Sequence, residues 1–142
     1  MIPRPLWLLL ALGLVVAPTL FILVDDSPDP CGNQVVGTFT APDGLKKAVV
    51  FQRDCGATTG FSTQISILPL SHDLPNESGN VFVADCDHGS APAAAHGGPE
   101  VHLSWADSNH LEVRFHPKAR VFRSEPSRDE VEITYVPSLT SP

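Results

Sequence analysis

Basic side chains and catalytic signatures are both scarce in this chain of 142 residues. Nine Lys and Arg stand against 16 Asp and Glu, and Arg4 is the one basic residue that precedes Lys46. An acidic chain of this kind is an unfavourable partner for nucleic acid. The chain contains neither a G-x-S-x-G nor an H-E-x-x-H motif, and no Lys-Ser/Thr follows its glycine-rich tract. We therefore expect no nucleic-acid partner and no cofactor, and these patterns give no support for catalysis.

Charge is absent altogether from Pro5 to Val24. As a helix this run is about 30 Å long, which is about the thickness of the apolar core of a bilayer. No small-x-small cleavage site or polar stretch follows Ala17, so we predict an uncleaved signal-anchor over residues 1–24; a cleaved signal peptide is the alternative. Arg4 precedes the span and three aspartates follow it, which places the N-terminus in the cytoplasm and the remainder of the chain outside.

A helical period of 3.6 residues is missing from the remainder of the chain, whereas strand-like patterns are abundant. Seven segments are rich in Val, Ile, Phe and Thr and mostly alternate in polarity: VVGTFT, LKKAVVFQR, FSTQISIL, NVFVAD, EVHLSW, HLEVRFH and VEITYV. The turns APDG (41–44) and ADSN (106–109) join two pairs of them as hairpins. We predict a linker over 25–32, an all-β domain over 33–137 and a disordered tail over 138–142. The domain is expected to be a compact antiparallel sandwich or strongly bent sheet of about seven or eight strands.

Alternation assigns one face of several strands to the core. In FSTQISIL, one side carries Phe61, Thr63, Ile65 and Ile67, and the other side carries Ser62, Gln64, Ser66 and Leu68. The first set is expected in the core. The same reasoning adds Trp105, Leu111, Val113, Phe115, Val131, Ile133 and Tyr135.

Cysteines are few and odd in number. Thiols outside the cytoplasm oxidise, and three cysteines allow one disulfide with one thiol left over. Cys31 precedes the first strand and Cys55 follows the second, so a bridge between them would close one hairpin folded on itself. We predict the disulfide Cys31–Cys55, which leaves Cys86 as a free thiol or an intermolecular partner.

The stretch APDGLKKAVVFQRDCGATTGFSTQISIL is the most specific part of the sequence. Together with GNVFVAD, GGPEVHLSW and ARVF, it resembles a family of small exported bacterial proteins of uncharacterised function, over most of residues 31–136. The resemblance implies a compact β domain outside the cytoplasm of a bacterium, with a cysteine before the first strand, and it supplies no catalytic residues. Cys86 departs from the pattern of that family. Together with the predicted span over residues 5–24, this setting predicts a single-pass protein of the bacterial inner membrane with a periplasmic or extracellular C-terminal domain.

The small residues 56–60 form the first candidate site. Their backbone N–H groups and the hydroxyls of Thr58 and Thr59 can approach a ligand closely, and Arg53 and Asp54 flank them. The alternative is a plain hairpin loop in which Asp54 pairs with Arg53 or caps the turn. A basic stretch, RFHPKARVFR, adds Arg120 as a candidate contact for an anion, or else forms solvated strand faces.

The second candidate site is the long Gly-, Ala- and His-rich segment over residues 85–100. Segments of this length without strand pattern are often functional or disordered. Asp85, Asp87 and His88 are candidate metal ligands, together with Cys86 and His96, although their spacing matches no standard zinc pattern. The alternative is a mobile surface loop.

Two functions follow from these candidates. The first is a non-catalytic binding module of the bacterial envelope, tethered to the bilayer through residues 5–24. It would contact an envelope protein or a small anionic ligand through the loops 53–60 and 85–100. The second is a metal-dependent hydrolase that uses the 85–100 loop.

Overall fold

The computed structural model describes residues 29–138, and all of its regular elements are strands. They are β1 (Gly32–Thr40), β2 (Lys46–Asp54), β3 (Ser62–Pro69), β4 (Phe82–Asp85), β5 (Val101–Asp107), β6 (His110–Phe115), β7 (Arg120–Ser124), β8 (Ser127–Arg128) and β9 (Val131–Pro137). The prediction of an all-β domain is confirmed. No helix in this described part is long and apolar enough to cross a membrane. The predicted span over residues 5–24 and the last four residues of the predicted tail lie outside the described range.

The strands form two sheets, with the orders β1-β2-β3-β4-β7 and β5-β6-β9-β8. The APDG and ADSN turns join β1 to β2 and β5 to β6 as antiparallel hairpins, as predicted. The expectation of a wholly antiparallel fold is wrong for one pair, because β6 and β9 run parallel, with Leu111 opposite Ile133. The chain leaves β6 for the first sheet, where it forms β7, and returns through β8. This detour supplies the long connection that a parallel pair needs.

Strands β7 and β8 were not among the predicted segments. All five residues of β7 are exposed, so its sequence RVFRS shows no alternation of apolar and polar positions. Strand β8 has two residues and turns into β9 through Asp129 and Glu130, which adopt φ values of 49° and 64°. Both elements owe their position to pairing with a neighbour rather than to burial of their own side chains.

The core lies between the two sheets and is built from large aliphatic and aromatic side chains. The predicted members Ile65, Ile67, Leu111, Val113, Phe115, Val131 and Ile133 are all buried there. Phe61 is an exception, with 44% of its surface exposed, because it lies just before β3 where the sheet ends. Trp105 is half-buried at the rim, where its indole N–H donates to Phe39 O at 3.0 Å.

The outer face of the first sheet is covered as well. Gln64 and Ser66 were expected to face away from the core, yet both are 4% exposed. Residues 70–80 fold back across them: Gln64 Oε1 accepts hydrogen bonds from Ser78 Oγ at 3.0 Å and from Gly79 N at 2.6 Å. Every buried side-chain nitrogen and oxygen in residues 29–138 has a partner, as burial of polar groups requires.

A disulfide and a hydrogen-bond network hold the start of the domain in place, and we call this region the fastened corner. The predicted disulfide Cys31–Cys55 is present and joins the residue before β1 to the residue after β2. Beside it, the Arg53 guanidinium donates to Asp29 Oδ2 and to Asn33 Oδ1, each at 2.7 Å. Asn33 in turn donates to the carbonyls of residues 75 and 77. The corner therefore ties β1, β2 and the covering segment together.

Candidate functional site

The loop between β2 and β3 is a capped turn. Asp54 Oδ1 accepts a hydrogen bond from Gly56 N at 2.9 Å, and Thr59 donates to Gly56 O at 3.1 Å through both its N–H and its hydroxyl. Gly56 has a φ of 107°, which a glycine adopts without strain. Asp54 and Thr59 thus stabilise the loop itself, whereas Thr58 is exposed to solvent.

Arg53, another predicted site residue, points into the fastened corner instead of toward the loop. Its side chain is 9% exposed and is held by Asp29 and Asn33. The sequence allowed an ion pair between Arg53 and Asp54. In the structure, the carboxylate that pairs with Arg53 is that of Asp29. Burial and three polar partners leave this guanidinium little freedom to meet a ligand.

The segment between β4 and β5 is packed rather than free. Ala91 is buried, and residues 93 and 99 form an isolated bridge. The His96 ring lies 2.9 Å from Thr63 Oγ1, which donates to Pro99 O at 2.6 Å. Burial lowers the pKa of His96, which keeps the ring neutral beside the buried hydroxyl. His96 therefore fastens the segment to β3.

Sheet pairing brings Asp85 and Arg120 together. Asp85 ends β4 and lies opposite Arg120, the first residue of β7. The guanidinium donates from Nη2 to Oδ2 at 2.5 Å and from Nε to Oδ1 at 3.2 Å, and its Nη1 lies 3.7 Å from Asp87 Oδ1. The same guanidinium stacks on the Phe122 ring, 5.0 Å from its centroid. Three groups thus hold Arg120 in one orientation.

A concave site of about 290 Å³ opens beside this ion pair, and we call it the Asp85–Arg120 site. It is lined by residues 60–61, residues 85–89, Gly97 and Arg120. Both predicted loops therefore contribute to it: the first through its last residue, Gly60, and the second through residues 85–89 and Gly97. The volume lies at the lower end of the range for ligand pockets, which suits a small molecule or one side chain of a partner.

The site includes a tight turn. Asp87 and His88 adopt left-handed φ values of 46° and 55° as the two central residues of this turn. Gly89 follows with a φ of 90°, and its N–H closes the turn by donating to Cys86 O at 3.0 Å. Asp129 and Glu130 adopt the same conformation in the β8–β9 turn, so the turn at residues 86–89 shapes the site without by itself indicating a function.

Ionisation in the site follows from burial and from the ion pair. Burial opposes ionisation of Asp85, but the hydrogen bonds from Arg120 and from the Asp87 N–H outweigh it, so its pKa lies below the ordinary value. Burial and the Asp85 charge raise the pKa of the Cys86 thiol. Cys86 is the free cysteine of the described residues, and it is protonated and weakly nucleophilic at neutral pH.

The predicted metal ligands do not form a coordination group. Within residues 29–138 no three His, Cys, Asp or Glu side chains are placed to hold a metal ion. Asp85 is engaged by Arg120, and His96 is turned toward Thr63. Two of the predicted metal ligands therefore have other partners: Asp85 forms an ion pair, and His96 forms a hydrogen bond that holds its segment against β3.

The basic stretch RFHPKARVFR is largely compensated where it lies. Arg114 pairs with Glu112 at 2.6 Å, and Arg120 pairs with Asp85. Arg123 donates to Gly79 O at 2.7 Å and lies 4.0 Å from Glu125. These side chains follow the alternative in which the stretch forms solvated strand faces.

Sequence reasoning missed Phe61 as part of the site, and it did not single out Gly97 within the second candidate segment. A Cβ at Gly97 would collide with the Phe61 ring, and this close approach explains the glycine. The alternating pattern assigned Phe61 to the core, because period alone does not show where a strand leaves the sandwich. The double glycine at 97–98 was the available signal, since adjacent glycines often mark a close backbone approach.

Comparison of the chain with family models, curated proteins and solved structures finds no match. The resemblance to small exported bacterial proteins therefore stays a prediction, and function is argued from the site alone.

Proposed function

We propose that this chain is a membrane-anchored β domain outside the cytoplasm of a bacterium, and that it binds an envelope partner through the Asp85–Arg120 site. The observation that carries this proposal is the concave site where the two loops meet beside the ion pair of Asp85 with Arg120. The anchor and the bacterial location rest on the sequence of residues 1–24 and on the resemblance.

The charge of the site favours a cationic group on the partner. Asp85 and Asp87 bring two carboxylates, whereas Arg120 brings one guanidinium that both of them share. An anion would have to displace Asp85 from Arg120. A Lys or Arg side chain can instead pair with Asp87, which is half exposed, while its aliphatic stem rests on the Phe61 ring. The partner is thus expected to present a basic side chain rather than the small anion considered from the sequence.

Photo-crosslinking in cells tests the location of the site. A photoreactive residue at His88, on the turn that lines the site, should give a specific adduct, and Asp87→Asn should abolish it. The matched control is His72, which is also exposed but lies on the segment that covers the outer face of the first sheet. Equal labelling from both positions, or no adduct from position 88, would contradict the proposal.

The ligand chemistry is tested separately with two capped tripeptides, acetyl-Gly-Lys-Gly-amide and acetyl-Gly-Glu-Gly-amide. We expect the lysine peptide to shift the amide NMR signals of residues 86–89 in the full chain in micelles, and the glutamate peptide to leave them unchanged. Shifts caused by the glutamate peptide and not by the lysine peptide would contradict this expectation and favour a small anionic ligand.

The alternative of a metal-dependent hydrolase has no supporting arrangement among the described residues. Elemental analysis of the purified chain decides between the two functions. Stoichiometric zinc that is lost in His88→Ala would favour the hydrolase over the binding module.

A further inference from the structure

The chain enters the domain at the end of the sandwich that carries the Asp85–Arg120 site. Gly32, the first residue of β1, lies opposite Asp54 at the end of β2. Farther across the same sheet, β3 begins opposite Asp85, and Asp85 lies opposite Arg120. The start of β1, the loop at residues 56–60 and the site therefore share one end of the sandwich, which we call the near end.

The opposite end, which we call the far end, carries the turns at residues 41–44 and 106–109. These turns lie together, because Asp43 N donates a hydrogen bond to Ser108 Oγ at 3.0 Å. Strand β2 runs from the far end to the near end with nine residues, which is a length of about 30 Å. The two ends can therefore be distinguished by their distance from a surface.

The link between the near end and the predicted membrane span is short. Residues 25–28 separate Val24, the end of the uncharged run, from Asp29. The Arg53 guanidinium holds Asp29 by donating to its Oδ2 at 2.7 Å, so the chain is fixed to the domain from this residue onward. Even a fully extended link spans at most about 18 Å from Val24 to Asp29. With the anchor proposed above, the fastened corner stays within this distance of the end of the span.

The surface of the near end suits contact with lipid headgroups. Residues 56–61 read GATTGF and carry no charge, and Phe61 exposes 44% of its surface. Phe122 exposes 61% and lies under the Arg120 guanidinium, and Lys118 is exposed in the loop before β7. Surfaces that lie at the headgroups of a bilayer commonly combine exposed Phe with Lys or Arg.

The carboxylates around the fastened corner and the site have partners. Asp85 and Asp87 face the Arg120 guanidinium, and Asp29 faces that of Arg53. The near end therefore brings less uncompensated negative charge to anionic headgroups than the net charge of −7 of the chain would suggest.

We propose that the near end faces the lipid headgroups, and that the partner of the Asp85–Arg120 site is another protein of the same membrane. This inference rests on the anchor and on the binding site proposed above. The basic side chain expected for the partner would then lie close to the headgroups, beside the span that carries it. The short link confines the site and its partner to one surface, which favours their encounter.

Fluorescence quenching in proteoliposomes tests the orientation. In the full chain with Cys86→Ser, an environment-sensitive label is attached at Lys118→Cys in the near end or at Asn109→Cys in the far end. Both positions are exposed, and β6 lies between them. We expect lipids with a nitroxide on the headgroup to quench the label at position 118 strongly and the label at position 109 little.

Flotation of the same vesicles separates this inference from the anchor. In protein that floats with the vesicles, equal quenching at both positions, stronger quenching at position 109, or none at either would overturn the orientation alone. Protein that does not float would contradict the anchor and, with it, the orientation.

A longer link tests the class of partner. Insertion of about 20 Gly and Ser residues between Ser27 and Pro28 adds an r.m.s. span of about 25 Å. We expect it to weaken both the quenching at position 118 and the photo-crosslink from position 88 in cells. The matched control inserts the same residues after Ser138, beyond β9, and should leave both signals unchanged. A crosslink from position 88 that the longer link leaves undiminished would show a partner that is not confined to the membrane surface. It would overturn this inference and leave the proposed binding site standing.

Discussion

Gly98 shows how closely the segment between β4 and β5 approaches β3. A Cβ at this position would collide with Thr63 Oγ1 and lie 2.8 Å from Thr63 N. Thr63 is fully buried and cannot move aside. We expect Gly98→Ala to lower the free energy of unfolding by about 1–3 kcal/mol, as overpacking of an interior does.

Urea denaturation of Gly98→Ala and Gly60→Ala measures this effect against a matched control. A Cβ at Gly60 meets no atom within 4 Å, so that variant should change the free energy of unfolding by less than about 0.5 kcal/mol. Equal losses in the two variants would show that the close approach to Thr63 is not the cause.

His110 should make stability depend on pH. Its Nδ1 lies 2.8 Å from the Asp107 carboxylate and its Nε2 lies 3.3 Å from Glu132. The hydrogen bond with Asp107 and the charge of that carboxylate raise the pKa of His110 above 6.5. The Asn109 N–H, together with His110, lowers the pKa of Asp107 below 3.8. The pair therefore stabilises the fold between about pH 4 and pH 6.5, and its contribution is lost as pH rises through the raised pKa of His110.

The comparison of Tm between the natural chain and His110→Gln tests this dependence. The variant should melt at a lower temperature at pH 5.5, and the difference should vanish by pH 8.5. The control is His72→Gln, since the His72 ring lies beside the Ser71 hydroxyl rather than a carboxylate. A difference that grows with pH would contradict the assignment.

At the scale of single residues, the sequence predicted several members of the site but not how they interact. Asp85, Asp87, His88 and Arg120 were singled out, and they do lie together. Their chemistry was assigned differently because Asp85 and Arg120 are 35 residues apart, and only the pairing of β4 with β7 shows that they neutralise each other. Arg53 was misplaced for the same reason, since its partner Asp29 comes from the other end of a hairpin.

At the scale of elements, the strongly alternating strands were predictable and the exposed ones were not. β3 and β6 alternate clearly because one face of each packs in the core, whereas β2 was recognisable from its apolar run AVVF, which is buried on both faces. β7 carries none, since all of its residues are exposed. The parallel pairing of β6 with β9 could not be predicted either. Alternation shows which face of a strand is buried, but it does not show whether the neighbouring strand runs parallel or antiparallel.

The β1–β2 hairpin gives a prediction at this scale. The Cys31–Cys55 disulfide closes a loop with a sequence separation of 24 residues, and closing such a loop restricts the unfolded chain by about 3 kcal/mol. We expect Cys31→Ser and Cys55→Ser each to lower the free energy of unfolding by about 2–4 kcal/mol, and the double variant to lose no more than either.

Cys86→Ser is the control for these variants, because its thiol is free and makes only long contacts of 3.7 and 3.9 Å to backbone carbonyls. It should be nearly silent in urea denaturation. A double variant that loses clearly more than either single one would mean that the two cysteines act separately. Peptide mapping of the natural chain that finds Cys86 bridged to Cys31 or to Cys55 would also contradict this prediction.

For the molecule as a whole, the prediction concerns its orientation. Arg4 precedes the uncharged run and Asp25, Asp26 and Asp29 follow it, so the β domain should lie outside the cytoplasm. A reporter that fluoresces only in the cytoplasm, fused after Pro142, should stay dark, and the protein should remain in the membrane pellet after a carbonate wash. Release of a shortened soluble product would instead support a cleaved signal peptide.

The return of the chain to the first sheet as β7 determines when the Asp85–Arg120 site is complete. During synthesis, Asp85 emerges well before Arg120, and until then the turn at residues 87–88 lacks the guanidinium that contacts both aspartates. The parallel strand β9 emerges later still, and it fills the place between β6 and β8. A chain whose synthesis is incomplete therefore holds two unneutralised carboxylates and an incomplete second sheet. The site that we propose for binding is finished only when synthesis is nearly over, so we expect no partner to engage a partly synthesised chain.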